Sequence, residues 1–265
     1  GTPAEESNGV KGIYGEKGAY KNINIALMTH PNGVSVASGT SLAMKAIEYE
    51  YFGRTAHAAT APEEGINALD AVILLFNGIN AIRQHVKSDV RIHGIIANGG
   101  VAANIVPDYA SARFYIRAEK KAYLNQVEEK MIQIAKGAAN MTGARLETNY
   151  YELPYDDMVT NEVLSEVFNR NLQEVTGETV EISGMSGSMD MGNVSHYVPA
   201  IHPMVGLGDK ELVCHTKAFA EATATEKGRE YIKNASFSLA LTALEIIKNP
   251  KLYERIREEF ERNIN

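Results

Sequence analysis

Close to the start of the sequence, Pro3 is followed by two adjacent carboxylates, Glu5 and Glu6, with no basic residue beside them. In extended backbone neighbouring side chains point to opposite sides. One carboxylate of such a pair can therefore face a cation while the other faces a water, which is what metal-assisted hydrolysis asks of a general base beside an ion. Taken alone, two glutamates read as a solvated turn. Other residues sharpen the reading. His30 precedes Pro31 at what reads as the C-terminal end of a strand, where α/β folds place ligand-binding groups. His57 sits in a Gly-Arg-Thr-Ala-His-Ala-Ala run, Asp190 in a loop rich in Gly, Ser and Met, and His215 directly after Cys214, the single cysteine.

The elements that would position these groups follow from periodicity. Ile23–Met28 is a compact apolar run that predicts a buried strand ending before His30. Apolar residues at a period of about two predict a long strand between Ser41 and Arg54. Residues 66–86 carry helical spacing, 90–97 a strand, 110–118 a strand bearing Arg113 and Arg117, 122–141 a second amphipathic helix and 146–153 a further strand. The order β-α-β-β-α-β is that of a ferredoxin-like sandwich. It interrupts two pieces of another kind. Beyond it come a helix over 161–175, a short strand over 179–182, a loop over 183–193, a strand over 200–205, a helix over 224–248 and a final amphipathic stretch. We therefore expect a discontinuous α/β domain made of residues 1–40 and 155–265, with an inserted domain over 41–154.

Composition bounds the function. The chain has 265 residues, 45% of them apolar and 22% charged, with a net charge of −7, a soluble globular profile. No basic cluster invites nucleic acid or an anionic membrane. An RNA-binding role for the sandwich is disfavoured because Phe114 and Tyr115 are adjacent on one strand and face opposite sides. No apolar run reaches membrane-spanning length. One cysteine excludes an intrachain disulfide framework and suits a reducing, cytoplasmic setting. No secretory signal opens the sequence, and an initial Gly1 gives that absence no weight. Among the remaining histidines, His85 is expected to be exposed and His93 to pack, while His196 and His202 flank a strand. Cys214 is expected to be a buried apolar thiol.

Six blocks in order, GTPAEE, ALMTHP, YFGRTAHAA with GINALDA, GGVAANIVPD with FYIRA, GSMDMGNVSH with VPAIHP, and CHT, resemble the aminoacylase and carboxypeptidase-type zinc metallopeptidase family. The nearest branch is that of the amidohydrolases, with p-aminobenzoyl-glutamate hydrolase and aminoacylase-like dipeptidases. The resemblance spans almost the whole chain. It implies an α/β zinc-exopeptidase catalytic domain interrupted by a ferredoxin-like lid and dimerisation domain. It also implies Glu5 as general base and Glu6, His30 and His215 as metal ligands, a donor set suited to Zn²⁺, with Mn²⁺ or Co²⁺ as substitutes. His57 would reach the active site of a second subunit and donate to the oxyanion. Asn104 and Arg117 would hold the substrate's carboxylate and nearby oxygens, and Asp190 would shape the pocket or orient a ligand.

The activity implied is hydrolysis of an amide bond in an N-acyl amino acid, an aminobenzoyl-glutamate or a dipeptide-like substrate with a free carboxylate. The protein would be a homodimer joined through the lid. Family members carry a further segment ahead of the GTPAEE block, including other ligands of a two-metal site. The chain is thus expected to be a C-terminal portion, with two metals per intact subunit and uncertain activity alone. The alternative is a non-catalytic dimerisation or regulatory module that keeps the lid.

Overall fold

The computed structural model describes residues 2, 8–182 and 187–264. Glu5 and Glu6, like residues 183–186, lie outside them. The chain divides into two compact units, one built around Leu42–Asp156, the other from Val10–Ser41 together with the chain from Asp157 onward.

The second unit opens with helix α1 (Val10–Glu16), strand β1 (Ala26–Leu27) and strand β2 (His30–Asn32). The apolar run expected as one buried strand is thus reduced to two residues, with Ile23 47% exposed. His30, expected at the C-terminal end of a strand, instead opens β2 beyond the end of β1.

The first unit is the sandwich expected from periodicity. Its elements are β3 (Ala43–Phe52), α2 (Ala68–Ile82), β4 (Arg91–Asn98), β5 (Tyr109–Ala118), α3 (Lys121–Thr142) and β6 (Arg145–Tyr155). All neighbours in the sheet are antiparallel, in the order β4-β5-β3-β6, the ferredoxin-like arrangement. Strand parity decides the two faces. Ile47, Tyr49 and Tyr51 of β3 join Ala112, Phe114 and Ile116 of β5 under α2 and α3. Glu48 of β3 and Arg113, Tyr115 and Arg117 of β5 share the other face. Helix α2 contributes Ala71, Val72, Leu75 and Ile79, a 3–4 spacing that makes one apolar stripe. Its first turn is capped by the Asn67 side chain, which accepts from the Leu69 and Asp70 amides. Helix α3 stops at Gly143, whose φ of 78° is the left-handed conformation glycine adopts without a Cβ penalty. Gly94 admits the Phe114 ring, since a Cβ there would lie 2.3 Å from a ring carbon.

The second unit resumes with α4 (Glu162–Thr176), α5 (Met191–Ser195), β7 (Ala200–Ile201), β8 (Met204–Gly206), α6 (Lys217–Thr223), α7 (Glu226–Lys248) and α8 (Pro250–Ile264). Strand β1 pairs in parallel with β7, and β2 with β8. The single strand expected over 200–205 is broken at His202-Pro203, where proline has no amide to donate. The strand expected over 179–182 is one bridge, Val36 to Glu181. The loop expected over 183–193 gives way to α5 from Met191. Helix α4 is capped twice: Asn161 accepts from the Leu164 amide, and the Glu259 carboxylate of α8 accepts from the Glu162 and Val163 amides. No described helix is long and apolar enough to cross a membrane.

Candidate active site

In the second unit, parallel pairing brings two histidines together. His30 opens β2 in register with Met204, and its amide donates to the Pro203 carbonyl. His202 lies two residues before Met204, in the bend between β7 and β8. Because β1 runs beside β7 and β2 beside β8, the two bends are neighbours, and the rings of His30 and His202 stand 6.2 Å apart at 65°. His202 is buried and its amide donates to Ser38 Oγ. Burial, with the nearby His30 and Lys11, pushes the His202 imidazole down to about 4, so it is neutral near pH 7. Its Nδ1 lies 2.8 Å from Met189 Sδ, and its buried Nε2 has no hydrogen-bond partner among the described residues. His30 Nδ1 lies 2.6 Å from the Pro31 carbonyl oxygen. Only an Nδ1–H can make that bond, which leaves the lone pair on Nε2.

Asp190 is fully buried at the start of α5. Lys11 of α1 donates to its Oδ1 at 2.6 Å, while its Oδ2 has no hydrogen-bond partner among the described residues. The pair fastens α1 to α5 across 179 residues of sequence. Tyr20 adds to the same corner, donating to the Lys11 carbonyl at 3.1 Å. Lys11→Met would leave the Asp190 carboxylate buried without its cation, and we expect a loss of about 3–5 kcal/mol in urea unfolding. A Lys11→Met/Asp190→Leu double variant should recover most of it. Equal loss in both would show that the charge is not the cause.

His215 has a φ of 65°, the only described non-glycine residue in the left-handed region. Such backbone clusters at functional sites. Its neighbour Cys214 is half-buried rather than enclosed in apolar surroundings, with Sγ 3.6 Å from Asn32 Oδ1 and 3.9 Å from the Pro31 carbonyl. The loop carrying His215 therefore lies against β2, the strand that His30 opens.

In the first unit, His57 and Asn104 are neighbours. A bridge joins His57 to Ile105, and the Ala58 amide donates to the Asn104 carbonyl at 3.1 Å. Both side chains belong to exposed residues. The Ala59 amide donates to His57 Nδ1 at 3.2 Å. A nitrogen that accepts carries no proton, so neutral His57 presents Nε2–H as a donor. Arg117, on the sheet face without helices, has its guanidinium 5.1 Å from the centre of the Tyr115 ring, a cation–π contact. His93, expected to pack, is exposed, as is His85. A cavity of about 570 Å³ lined by Arg83, Arg91 and His93 contains none of the residues proposed from sequence.

Whether these residues suit a metal depends on the donors. His30 and His215 are described, Glu6 is not, and among the described residues no group of three His, Cys, Asp or Glu side chains converges on one point. The donor chemistry fits: a tautomer fixed at His30 and an orphaned, buried Nε2 at His202 are features of nitrogen that meets a cation. Sequence reasoning misses His202 because its Ile-His-Pro setting reads as strand, and the approach to His30 exists only in the folded chain.

Comparison with known proteins decides the family. Residues 44–141 match the peptidase dimerisation domain of the M20 type. Over 264 residues, 98% of the chain, it is 36% identical to the Xaa-Arg dipeptidases of Mus musculus and Homo sapiens. The chain belongs to the M20 peptidase family. It spans about three-fifths of the length of these two dipeptidases, 61% of the mouse protein and 60% of the human one. It is also 32% identical to one of the p-aminobenzoyl-glutamate hydrolase subunits of Escherichia coli, over 57% of this chain and 32% of that protein. Among solved structures, the aminobenzoyl-glutamate utilization protein of Klebsiella pneumoniae matches 87% of this M20 chain and 56% of its own, with a TM-score of 0.70 at 22% identity, a likeness of fold.

Proposed function

We propose that the protein carrying this M20 chain hydrolyses an amide bond in a small substrate with a free carboxylate, either a dipeptide-like or an N-acyl amino acid. The observation that carries this reading is the 36% identity to Xaa-Arg dipeptidases across 98% of the chain, which spans both units. A metal held by Glu6, His30 and His215 would polarise the carbonyl and acidify the attacking water. Glu5 takes the proton of that water and delivers it to the leaving amine. His57 donates Nε2–H to the developing oxyanion, a role that its acceptor bond at Nδ1 supports. Arg117, in cation–π contact with Tyr115, pairs with the substrate carboxylate, and Asn104 adds an amide donor beside His57. Asp190 holds Lys11 and through it the helix that follows the Glu5–Glu6 pair.

The test is a substrate panel of Xaa-Arg dipeptides, p-aminobenzoyl-glutamate and N-acyl amino acids, assayed before and after removal and return of Zn²⁺. Turnover that is lost on chelation and restored by zinc supports the reading. No turnover of any member by the full-length protein supports the rival one, a dimerisation module without chemistry.

A homodimer belongs to the same proposal. Among the described residues strand β4 pairs only with β5, so its outer edge is open, and Ile95 and Ile96 on it are 63% and 47% exposed. An open apolar edge is a template for a second strand. Ile96→Lys on this edge is expected to turn a dimer into a monomer in analytical ultracentrifugation, with unchanged circular dichroism. A variant that sediments as the parent does would move the interface elsewhere.

A further inference from the structure

At one end of the sandwich, two stretches of chain carry no charge although they face solvent. Residues 55–62 and 98–107 hold no Asp, Glu, Lys or Arg, in a chain that is 22% charged. Thr55, residues 57–60 and residues 98–105 are all exposed. Exposed chain without charge has the composition of an interface core before it is covered. The two stretches are held together as one tip. The Ala58 amide donates to the Asn104 carbonyl at 3.1 Å and the Val106 amide to the Ala56 carbonyl at 3.0 Å, on either side of the bridge between His57 and Ile105. Within the loop, the Ile105 amide donates to the Ala102 carbonyl and the Gly100 amide to Asn98 Oδ1. Gly100, with a φ of 99°, lies so close to Pro107 that a Cβ would stand 2.9 Å from its Cγ.

Val101 projects from this tip at 91% exposed, more than any other large apolar side chain described in the first unit. At that exposure the side chain covers almost nothing, so the fold does not call for a valine there. Three residue steps separate it from Asn104, which puts the two Cα atoms at most about 11 Å apart. The two ends of the proposed substrate are unlike. The charged end, the free carboxylate, goes to Arg117, and the scissile carbonyl to His57. The acyl group on the far side of that carbonyl is the end that a charge-free tip suits. An apolar contact there also keeps water from the donor beside it, where an oxyanion contact gains strength.

We propose that Val101 is a specificity residue that packs on the acyl group of the substrate, so that the protein favours long apolar acyl groups over short ones. This rests on the reading in which His57 and Asn104 meet the substrate, and it names the substrate class within it: amino acids acylated by an apolar group.

The experiment uses the full-length protein and the amino acid whose amide it hydrolyses fastest in the substrate panel. Values of kcat and KM are measured for the N-acetyl, N-butanoyl and N-octanoyl derivatives of that amino acid. The proteins are the parent, Val101→Ala, Val101→Asp and, as a control on another exposed apolar side chain, Met141→Ala. In the parent, kcat/KM should rise with acyl length. One methylene in an apolar contact discriminates by about 10–200-fold, so Val101→Ala should lower kcat/KM about tenfold for the octanoyl substrate and less than about threefold for the acetyl one. Val101→Asp, which sets a charge against the acyl chain, should widen the octanoyl loss to about a hundredfold. Met141→Ala should follow the parent. An equal loss on all three substrates would make Val101 a prop of the loop that carries Asn104, and overturns the proposal. So does a parent indifferent to acyl length, or an octanoyl-to-acetyl ratio within about threefold of the parent's in both Val101 variants. In each of these cases the parent still turns over substrate and the hydrolase reading stands. A parent that hydrolyses no member of the panel overturns both.

Discussion

Exchanging Glu5 for glutamine is expected to lower kcat by about 10³–10⁴, the upper range for loss of a general base. Glutamine keeps the size and one acceptor of the side chain but cannot take a proton from water near pH 7. KM should change little, because the proposed function gives the substrate carboxylate to Arg117 and not to Glu5. Glu5→Asp, which keeps the carboxylate but retracts it by one methylene, should retain more activity than Glu5→Gln, since base catalysis tolerates a bridging water but not a lost base. Zinc content should be unaltered in both variants, whereas Glu6→Gln should lower it. If Glu5→Gln turns over substrate within tenfold of the parent, the base is another residue. The expectation comes from the sequence blocks; what the fold contributes is a fixed frame directly downstream, where Lys11 is bolted to the buried Asp190.

His57→Ala is expected to lower kcat by about 10²–10³, the cost of deleting one oxyanion donor. The direction follows from the tautomer. The Ala59 amide occupies Nδ1, so Nε2–H is offered to solvent or substrate without the ring being charged. His57→Gln, which also presents an N–H, should recover part of the loss. Because the resemblance has His57 serve the neighbouring subunit's site, a stronger test is available. In a mixed dimer of Glu5→Gln with His57→Ala, one site lacks both groups and the other keeps both. Equimolar mixing of two nearly inactive variants should then restore about a quarter of the parental activity, if subunits exchange at random in a two-fold dimer. No recovery, with mixed dimers demonstrated, would place His57 in its own subunit's site or outside catalysis.

The first unit is legible in sequence because its elements are long. Ten residues of β3, with burial that alternates from Ile47 to Phe52, and a helix with apolar residues at 68, 71, 72, 75 and 79 repeat their pattern often enough to be read without neighbours. The second unit is less so. Strands of two or three residues hold too few alternations to be told from chance, and β1, β2, β7 and β8 exist as strands only because each finds a parallel partner far along the chain. Long apolar runs therefore read as single strands where the chain turns twice. The same limit applies to the site.

The sequence alone supplied the candidates for chemistry: the Glu5–Glu6 pair, His30, His57, Asn104, Arg117, Asp190 and His215 each stand in a block that resembles the family. It also determined the β-α-β-β-α-β order, which is a matter of local period. Which of these side chains meet was set by folding. It set His202 beside His30, paired Lys11 with Asp190, laid the Cys214–His215 loop on β2, and fixed which nitrogen of His57 carries a proton. The physical reason is that hydrogen-bond and ion-pair partners are chosen by strand register and burial, which join residues far apart in sequence and leave no periodic trace along it.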